Sequence, residues 1–210
     1  MIRIAMTASL LLALTTLTSM ADEPKAPAET PKPATRPASV LDFTVTDNGG
    51  SIVNLSTKYK GKVLLIVNVA SKCGFTPQYK ALEKLYTTYQ PRGFEILAFP
   101  ANEFGHQEPG TDEQIRAFCT DKYNVTFDLF SKIVVKGEGQ APLYQFLTDK
   151  QTDPAYAGDI KWNFTKFLVS RDGKLVARFE SPVKPNDPSV IQAIESQLAT
   201  PAGASANSTH

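Results

Sequence analysis

The chain has 210 residues, of which 42% are hydrophobic and 20% are charged, and its formal net charge is +1. This length is enough for one domain with a proper core but hardly for two. The composition is that of an ordinary soluble protein. A net charge near zero without a large basic block argues against nucleic acid or acidic lipid as the main partner.

The first 21 residues are typical of a secretory signal peptide. Arg3 supplies a positive start, residues 8–17 are mostly apolar, and Ser19-Met20-Ala21 has the small-x-small form of a cleavage site. A membrane anchor is the alternative, although the stretch is shorter than the ~20 apolar residues that a spanning helix needs. We therefore expect an exported protein, periplasmic or secreted, cleaved near Ala21.

Two other segments have compositions that cannot bury apolar surface. Residues 22–38 are rich in Pro, Ala, Lys and Glu, which predicts an extended linker. Residues 199–210 are small and polar, which predicts a disordered tail. The predicted folded domain therefore comprises residues 39–198.

The first predicted elements are a hairpin and a buried strand. Residues 43–46 and 52–55 flank Asp47-Asn48-Gly49-Gly50, which is a hairpin turn sequence. Residues 63–70, VLLIVNVA, are almost continuously aliphatic, so we expect a central strand covered on both faces.

A helix is predicted to follow this strand after a turn at residues 71–75. Thr76 can cap the helix, Pro77 suits its first position, and Gly93 ends it. Residues 94–99 then form the next predicted strand.

The second half of the predicted domain begins with a polar loop at residues 101–110. Thr111-x-x-Gln114 is a capping box that starts a helix. Four further features follow: a strand or loop at 127–135, a short helix at 143–147, a hairpin of 164–169 with 175–179, and a last helix opened by Asp187-Pro188. This order predicts a thioredoxin-like α/β fold, with a central mixed sheet flanked by helices and an N-terminal β-hairpin.

Cys73 lies between the end of the predicted buried strand and the start of the helix. In parallel-sheet proteins this edge is where ligands bind. The partial positive charge of a helix N-terminus and the neighbouring Lys72 both favour a thiolate, which is the nucleophilic form of cysteine. A buried and inert cysteine is the alternative.

The other candidate residues are ambiguous by themselves. Cys119 shares an apolar helical face with Ile115, which equally suits core packing, and it is too far from Cys73 in sequence for a CxxC pair. Gln107 could belong to a solvated turn, and the pair Trp162-Asn163 could be an ordinary core aromatic with its neighbour. Two histidines and two distant cysteines give no plausible metal cluster, so no metal or other cofactor is expected.

Three segments together resemble the signatures of the glutathione peroxidase family. They are KVLLIVNVASKCGFT at 62–76, ILAFPANEFGHQEPG at 96–110 and WNFTKFLV at 162–169, in the family's order and at similar spacing. The resemblance covers about residues 40–198, and it implies a thioredoxin fold and reduction of hydroperoxides.

The resemblance also implies roles for individual residues. Cys73 takes the position of the peroxidatic residue, and Gln107, Trp162 and Asn163 match the family's remaining active-site positions. Cys119 matches the resolving cysteine of the cysteine-based members, which are similar to thioredoxin-dependent peroxidases more than to glutathione users.

Three residues depart from the family's pattern. Ala101 stands where many members have cysteine, Glu103 replaces a glutamine, and His106 replaces a small residue. Glu103 would add negative charge near the site if its side chain points inward.

The resemblance thus implies a thiol peroxidase that reduces hydrogen peroxide and organic or lipid hydroperoxides to water or alcohols. The implied cycle passes through a Cys73 sulfenic acid and a Cys73–Cys119 disulfide, which a thioredoxin-like dithiol or glutathione reduces. The alternatives are a peroxide-sensing redox relay protein and a non-catalytic domain with a structural disulfide. A short segment between Leu147 and Trp162, where tetrameric members have an insertion, implies a monomer.

Overall fold

A computed structural model describes Met1 and residues 36–201 of the chain. The predicted signal peptide, nearly all of the predicted linker and most of the predicted tail lie outside the described residues. Within the described part, no helix combines the length and the apolar character needed to cross a membrane.

The strands form two separate sheets. The first is an antiparallel pair, β1 (Thr44–Thr46) and β2 (Ile52–Asn54). The second contains β3 (Val63–Val69), β4 (Phe94–Pro100), β5 (Asp128–Leu129), β6 (Lys166–Val169) and β7 (Leu175–Phe179). Its order is β5-β4-β3-β6-β7, in which β3, β4 and β5 are parallel while β6 and β7 are antiparallel to their neighbours. The predicted mixed sheet and N-terminal hairpin are therefore confirmed.

In the described part of the chain, five α-helices accompany these strands. They are α1 (Leu55–Tyr59), α2 (Gln78–Tyr89), α3 (Asp112–Tyr123), α4 (Pro142–Thr148) and α5 (Pro188–Ala199), with short 3-10 turns at Val40–Asp42 and Gln90–Arg92. The predicted capping box starts α3, because the Thr111 hydroxyl accepts from Gln114 N–H and the Gln114 side chain accepts from Thr111 N–H.

Several predicted strands have different bounds in the structure, and three of the differences have a physical reason or are large. The strand predicted at 52–55 ends at Asn54, because the Asn54 side chain accepts from Thr57 N–H and caps α1, which the sequence reading missed. Of residues 127–135, only Asp128–Leu129 pair with β4. The strand predicted at 164–169 begins at Lys166, because Phe164 has a left-handed backbone with φ of 65° that does not fit a strand.

The sheet is covered on both faces, as the apolar run in β3 predicted. Every residue of β3 is buried, and successive side chains point to opposite faces of the sheet. On one face, Val63, Leu65, Val67 and Val69 join an apolar cluster with α2, α3 and α5. On the other face, Leu64 and Ile66 join a cluster with α1 and α4.

Candidate active site

Cys73 lies in the turn that connects β3 to α2. Its side chain is 7% exposed, and its sulfur accepts the N–H of Phe75 at 3.4 Å. The Cys73 N–H donates to Thr76 Oγ1 at 2.9 Å, and Thr76 Oγ1 donates to the carbonyl of Ala70 at 2.8 Å. The turn is therefore held by its own hydrogen bonds, with one backbone donor directed at the sulfur, where it can stabilise negative charge.

The predicted cap of the following helix is wrong. The residue that precedes α2 is Pro77, which makes no side-chain capping bond, and the helix begins at Gln78. Thr76 does not cap α2, because its hydroxyl is used inside the turn. The local donor to the Cys73 sulfur is consequently the Phe75 N–H, and the helix terminus lies further along the chain than the sequence suggested.

Gln107 and Asn163 come from distant parts of the sequence and meet beside this turn. The N–H of Lys72 donates to the Gln107 carbonyl at 3.0 Å, which ties the loop at 101–110 to the residue before Cys73. The Asn163 Nδ2 donates to Gln107 Oε1 at 3.2 Å. Asn163 is fully buried, and its Oδ1 has no hydrogen-bond partner, so it is available to accept from a ligand.

Trp162 is not an ordinary core aromatic. Its side chain is 39% exposed, and its ring lies 5.8 Å from the ring of Phe104 at a tilt of 49°. Its backbone is nevertheless fixed, because its carbonyl accepts from Asn68 Nδ2 at 3.2 Å and from Thr165 Oγ1 at 3.1 Å. A partly exposed indole next to the buried Asn163 suits contact with a substrate that enters from solvent.

Asn68 also belongs to the site region, although none of the sequence motifs indicated it. It is fully buried in β3, its Oδ1 accepts from Thr165 N–H at 3.1 Å, and its carbonyl accepts from Phe164 N–H at 2.6 Å. With the bond to Trp162, Asn68 binds the chain on both sides of Asn163. The signal in the sequence was the one polar residue in VLLIVNVA, since a polar group in a buried strand needs a partner.

Cys119 is fully buried on α3, and both cysteines are free thiols in this structure. Burial raises the pKa of the Cys119 thiol to about 11, and the charge of Glu108 acts in the same direction. The Tyr79 hydroxyl makes no hydrogen bond of standard geometry, but it lies beside the Cys119 thiol and opposes this rise in pKa. Because both cysteines are free thiols in this structure, a permanent structural disulfide between them is not favoured.

A cavity of ≈ 370 Å³ separates the Cys73 turn from α3. Its lining residues are Ser71, Lys72, Glu108, Pro109, Gly110, Gln114, Ile115 and Phe118. Glu108 is buried and accepts from the Ser71 hydroxyl at 3.1 Å, and burial raises the pKa of its carboxyl group. The cavity has room for a small molecule next to the residue that precedes Cys73.

Two of the three departures from the family's pattern, Glu103 and His106, have a defined conformation in this loop. The Glu103 carboxylate accepts from the Val135 N–H at 3.0 Å, so it is bound to the segment before α4. His106 has a left-handed backbone with φ of 54°.

Among the described residues, no three His, Cys, Asp or Glu side chains are grouped closely enough to hold a metal ion.

The fold and the site together define a class of protein, the oxidoreductases that work through a cysteine thiol. The sulfur lies at the turn after a central strand, which is a common place for a ligand in an α/β sheet. Amide groups from two other segments are gathered next to that turn.

The chain belongs to the glutathione peroxidase family. The family's sequence profile, described as Glutathione peroxidase, matches residues 40–148. The chain is 47% identical over 180 residues to the thioredoxin/glutathione peroxidase BtuE of Escherichia coli (strain K12), an alignment that covers 77% of this chain and 98% of that protein. It is 49% identical over 154 residues to the hydroperoxy fatty acid reductase gpx1 of Synechocystis sp. (strain ATCC 27184 / PCC 6803 / Kazusa), covering 71% and 90%.

A solved structure gives the same result. The chain resembles the crystal structure of Trgpx in apo form with a TM-score of 0.62 and 39% sequence identity, over 78% of this chain and 98% of that one. The predicted thioredoxin-like fold, family and peroxidase activity are confirmed.

Proposed function

We propose that Cys73 reduces hydrogen peroxide and organic or lipid hydroperoxides, with Gln107, Trp162 and Asn163 as the groups that hold the reacting atoms. The observation that carries this proposal is the chain of hydrogen bonds from Lys72 N–H to the Gln107 carbonyl and from Asn163 Nδ2 to Gln107 Oε1. These bonds join all three signature segments at the turn that contains the thiol.

In the first step the Cys73 thiolate attacks the distal peroxide oxygen. The S–O bond forms as the O–O bond breaks, and the departing oxygen takes one proton to become water or an alcohol. The sulfur is oxidised to a sulfenic acid while the peroxide is reduced. Amide and indole N–H groups are donors that stabilise the negative charge that develops on the departing oxygen.

In the second step Cys119 attacks the Cys73 sulfenic acid. A disulfide forms as the S–O bond breaks, and the sulfenic hydroxyl leaves as water after it takes up the proton of the Cys119 thiol. Cys119 is fully buried on α3 and its pKa is about 11, so little thiolate is present near neutral pH. Local unwinding of α3 would expose Cys119 and remove the burial that raises its pKa.

The third step returns both cysteines to thiols by exchange with an external dithiol. The name of the Escherichia coli relative supports thioredoxin or glutathione as donors, and that of the Synechocystis relative supports a fatty acid hydroperoxide as a substrate. Export, as the first 21 residues suggest, would require a thioredoxin-like donor outside the cytosol.

We also propose that the protein is a monomer, which size-exclusion chromatography with light scattering tests directly.

The function is tested by comparing Cys73→Ser and Cys119→Ser with the wild type. Stopped-flow mixing with peroxide, monitored by Trp162 fluorescence, follows the first oxidation. We expect Cys73→Ser to abolish it, whereas Cys119→Ser should consume one equivalent of peroxide and then stop turning over with a thioredoxin-type donor.

The outcomes separate the steps of the cycle. A wild-type rate in Cys73→Ser would show that another group reduces peroxide. Continued turnover of Cys119→Ser with the dithiol donor would remove the disulfide from the cycle. Wild-type oxidation without turnover, with every donor and peroxide tried, would favour a redox relay protein instead.

A further inference from the structure

Lys166 is a buried amine inside the central sheet. It begins β6, its side chain is 0% exposed, and its Nζ donates to the carbonyls of Phe164 and Val183, both at 2.7 Å. Burial lowers the pKa of this amine to about 7, with Glu180 as the one charge that opposes the change. A lysine is almost never fully buried unless its ammonium group has hydrogen-bond partners. Here the partners are these two backbone carbonyls, so their places in the fold indicate what Lys166 holds together.

The first carbonyl belongs to the segment that carries the proposed active-site amide. Phe164 follows Asn163 directly and has a left-handed backbone, with φ of 65°. A non-glycine residue stays in that conformation only when its surroundings hold it there. Asn68 accepts the Phe164 N–H on one side of this residue, and Lys166 donates to the Phe164 carbonyl on the other side.

The second carbonyl connects the same amine to the helix that follows Cys73. Val183 lies in the segment between β7 and α5, and the Ser181 carbonyl of that segment accepts from Gln78 Nε2 at 2.7 Å. Gln78 is the first residue of α2, and its own N–H donates to the Phe75 carbonyl in the Cys73 turn. Hydrogen bonds therefore link the turn to the Asn163 segment through Lys166.

We propose that Lys166 is a positioning residue for peroxide reduction, acting by holding the Trp162–Asn163 segment at the correct distance from the Cys73 turn. This inference rests on the proposed function. Lys166 makes no hydrogen bond to either cysteine. Its effect should therefore be confined to steps that need the Asn163 amide and the Trp162 indole in place. A misplacement of about 1 Å at such a site lowers rates about 100-fold.

The test uses Lys166→Met, whose unbranched side chain is one heavy atom shorter than lysine and cannot donate to either carbonyl. All variants carry Cys119→Ser, so that only the first oxidation is observed. We expect the second-order rate constant with hydrogen peroxide to fall about 10- to 100-fold. The rate of Cys73 alkylation by iodoacetamide should stay within about twofold of the parent, since alkylation has no departing peroxide oxygen for the amide or the indole to stabilise.

The matched control is Leu168→Ala, in the same strand and also fully buried. It destabilises the fold by leaving a cavity but removes no bond to the Asn163 segment, so its peroxide rate should stay near that of the parent. If Leu168→Ala loses as much rate as Lys166→Met, or if Lys166→Met speeds alkylation of Cys73, general loosening explains the loss and the inference is wrong. If Lys166→Met does not fold, Lys166→Gln is measured instead. Its shorter side chain keeps donors that support folding but should not reach both carbonyls, so we expect a smaller loss of peroxide rate, of about threefold or more, and a rate equal to that of the parent would overturn the inference.

A double-mutant cycle with Asn163→Ala tests whether the two residues act together. If Lys166 works through Asn163, adding Lys166→Met to Asn163→Ala should lower the rate less than about threefold further. Losses that multiply in full would overturn the inference. An unaltered rate in Lys166→Met would overturn it as well, whereas loss of the proposed function would appear as peroxide reduction that survives Cys73→Ser.

Discussion

Burial of Lys166 makes the free energy of unfolding depend on pH above neutrality. The amine has a pKa of about 7 in the folded protein and its ordinary value of 10.5 when exposed. Between these two values the unfolded chain binds a proton that the folded protein does not, so stability rises with pH in this window. The charged amine is destabilising below pH 7, and the penalty is relieved progressively up to about pH 10.5.

The size of this effect follows from the two pKa values. A pKa that drops from 10.5 to about 7 on folding corresponds to a penalty of about 5 kcal/mol well below pH 7. Integrating across the window, the wild type should gain about 2 kcal/mol between pH 7 and pH 9 from this residue alone. Cys119, whose pKa is raised by burial, acts with the opposite sign above pH 9, so the comparison must be made against a variant.

The measurement is urea unfolding of the wild type and Lys166→Met at pH 7, 8 and 9, with both cysteines kept reduced. The stability of the wild type relative to Lys166→Met should rise by about 2 kcal/mol across this range, whichever of the two is the more stable at pH 7. Leu168→Ala is the control, since it removes no titrating group and should shift the whole curve without changing its slope. A wild-type-minus-variant difference that is flat from pH 7 to 9 would show that the amine is not desolvated as the structure implies.

Two further predictions concern single substitutions. Gly173 has φ of +83°, and an added Cβ would collide with the Ser39 hydroxyl, so Gly173→Ala should lower the free energy of unfolding by about 3 kcal/mol. Gly137→Ala, at φ of +86° with open space around it, should cost only about 1 kcal/mol in the same urea titration.

The strands and helix starts that the sequence predicts correctly are those set by residues that are close together in the chain. The apolar run of β3 and the capping box at Thr111 each need only neighbouring residues, and both are found where expected. The start of α2 was wrong because Thr76 has two possible uses for its hydroxyl, a helix cap or a turn. The turn around Cys73 takes it, and the pattern of residues cannot distinguish the two.

The residues of the candidate site were predicted from the family resemblance, but the residues that hold them in position were not. Gln107 and Asn163 belong to recognisable motifs, whereas their mutual hydrogen bond depends on which strands are neighbours. Asn68 and Lys166 are ordinary polar residues in apolar strands when taken alone. Their partners are defined only after β3 and β6 pair, with Val67 opposite Lys166.

That pairing also explains why loss of Lys166 should slow the reaction without abolishing it. Side chains alternate along a strand, so Asn68 lies on the face of Leu64 and Ile66, and Lys166 lies on the opposite face with Leu168. The Trp162–Asn163 segment is thus bound from both faces of the sheet, and Cys73 packs into the cluster on the Lys166 face. Lys166→Met leaves the Asn68 bonds intact, so the segment should stay attached while its position relative to Cys73 becomes less well defined.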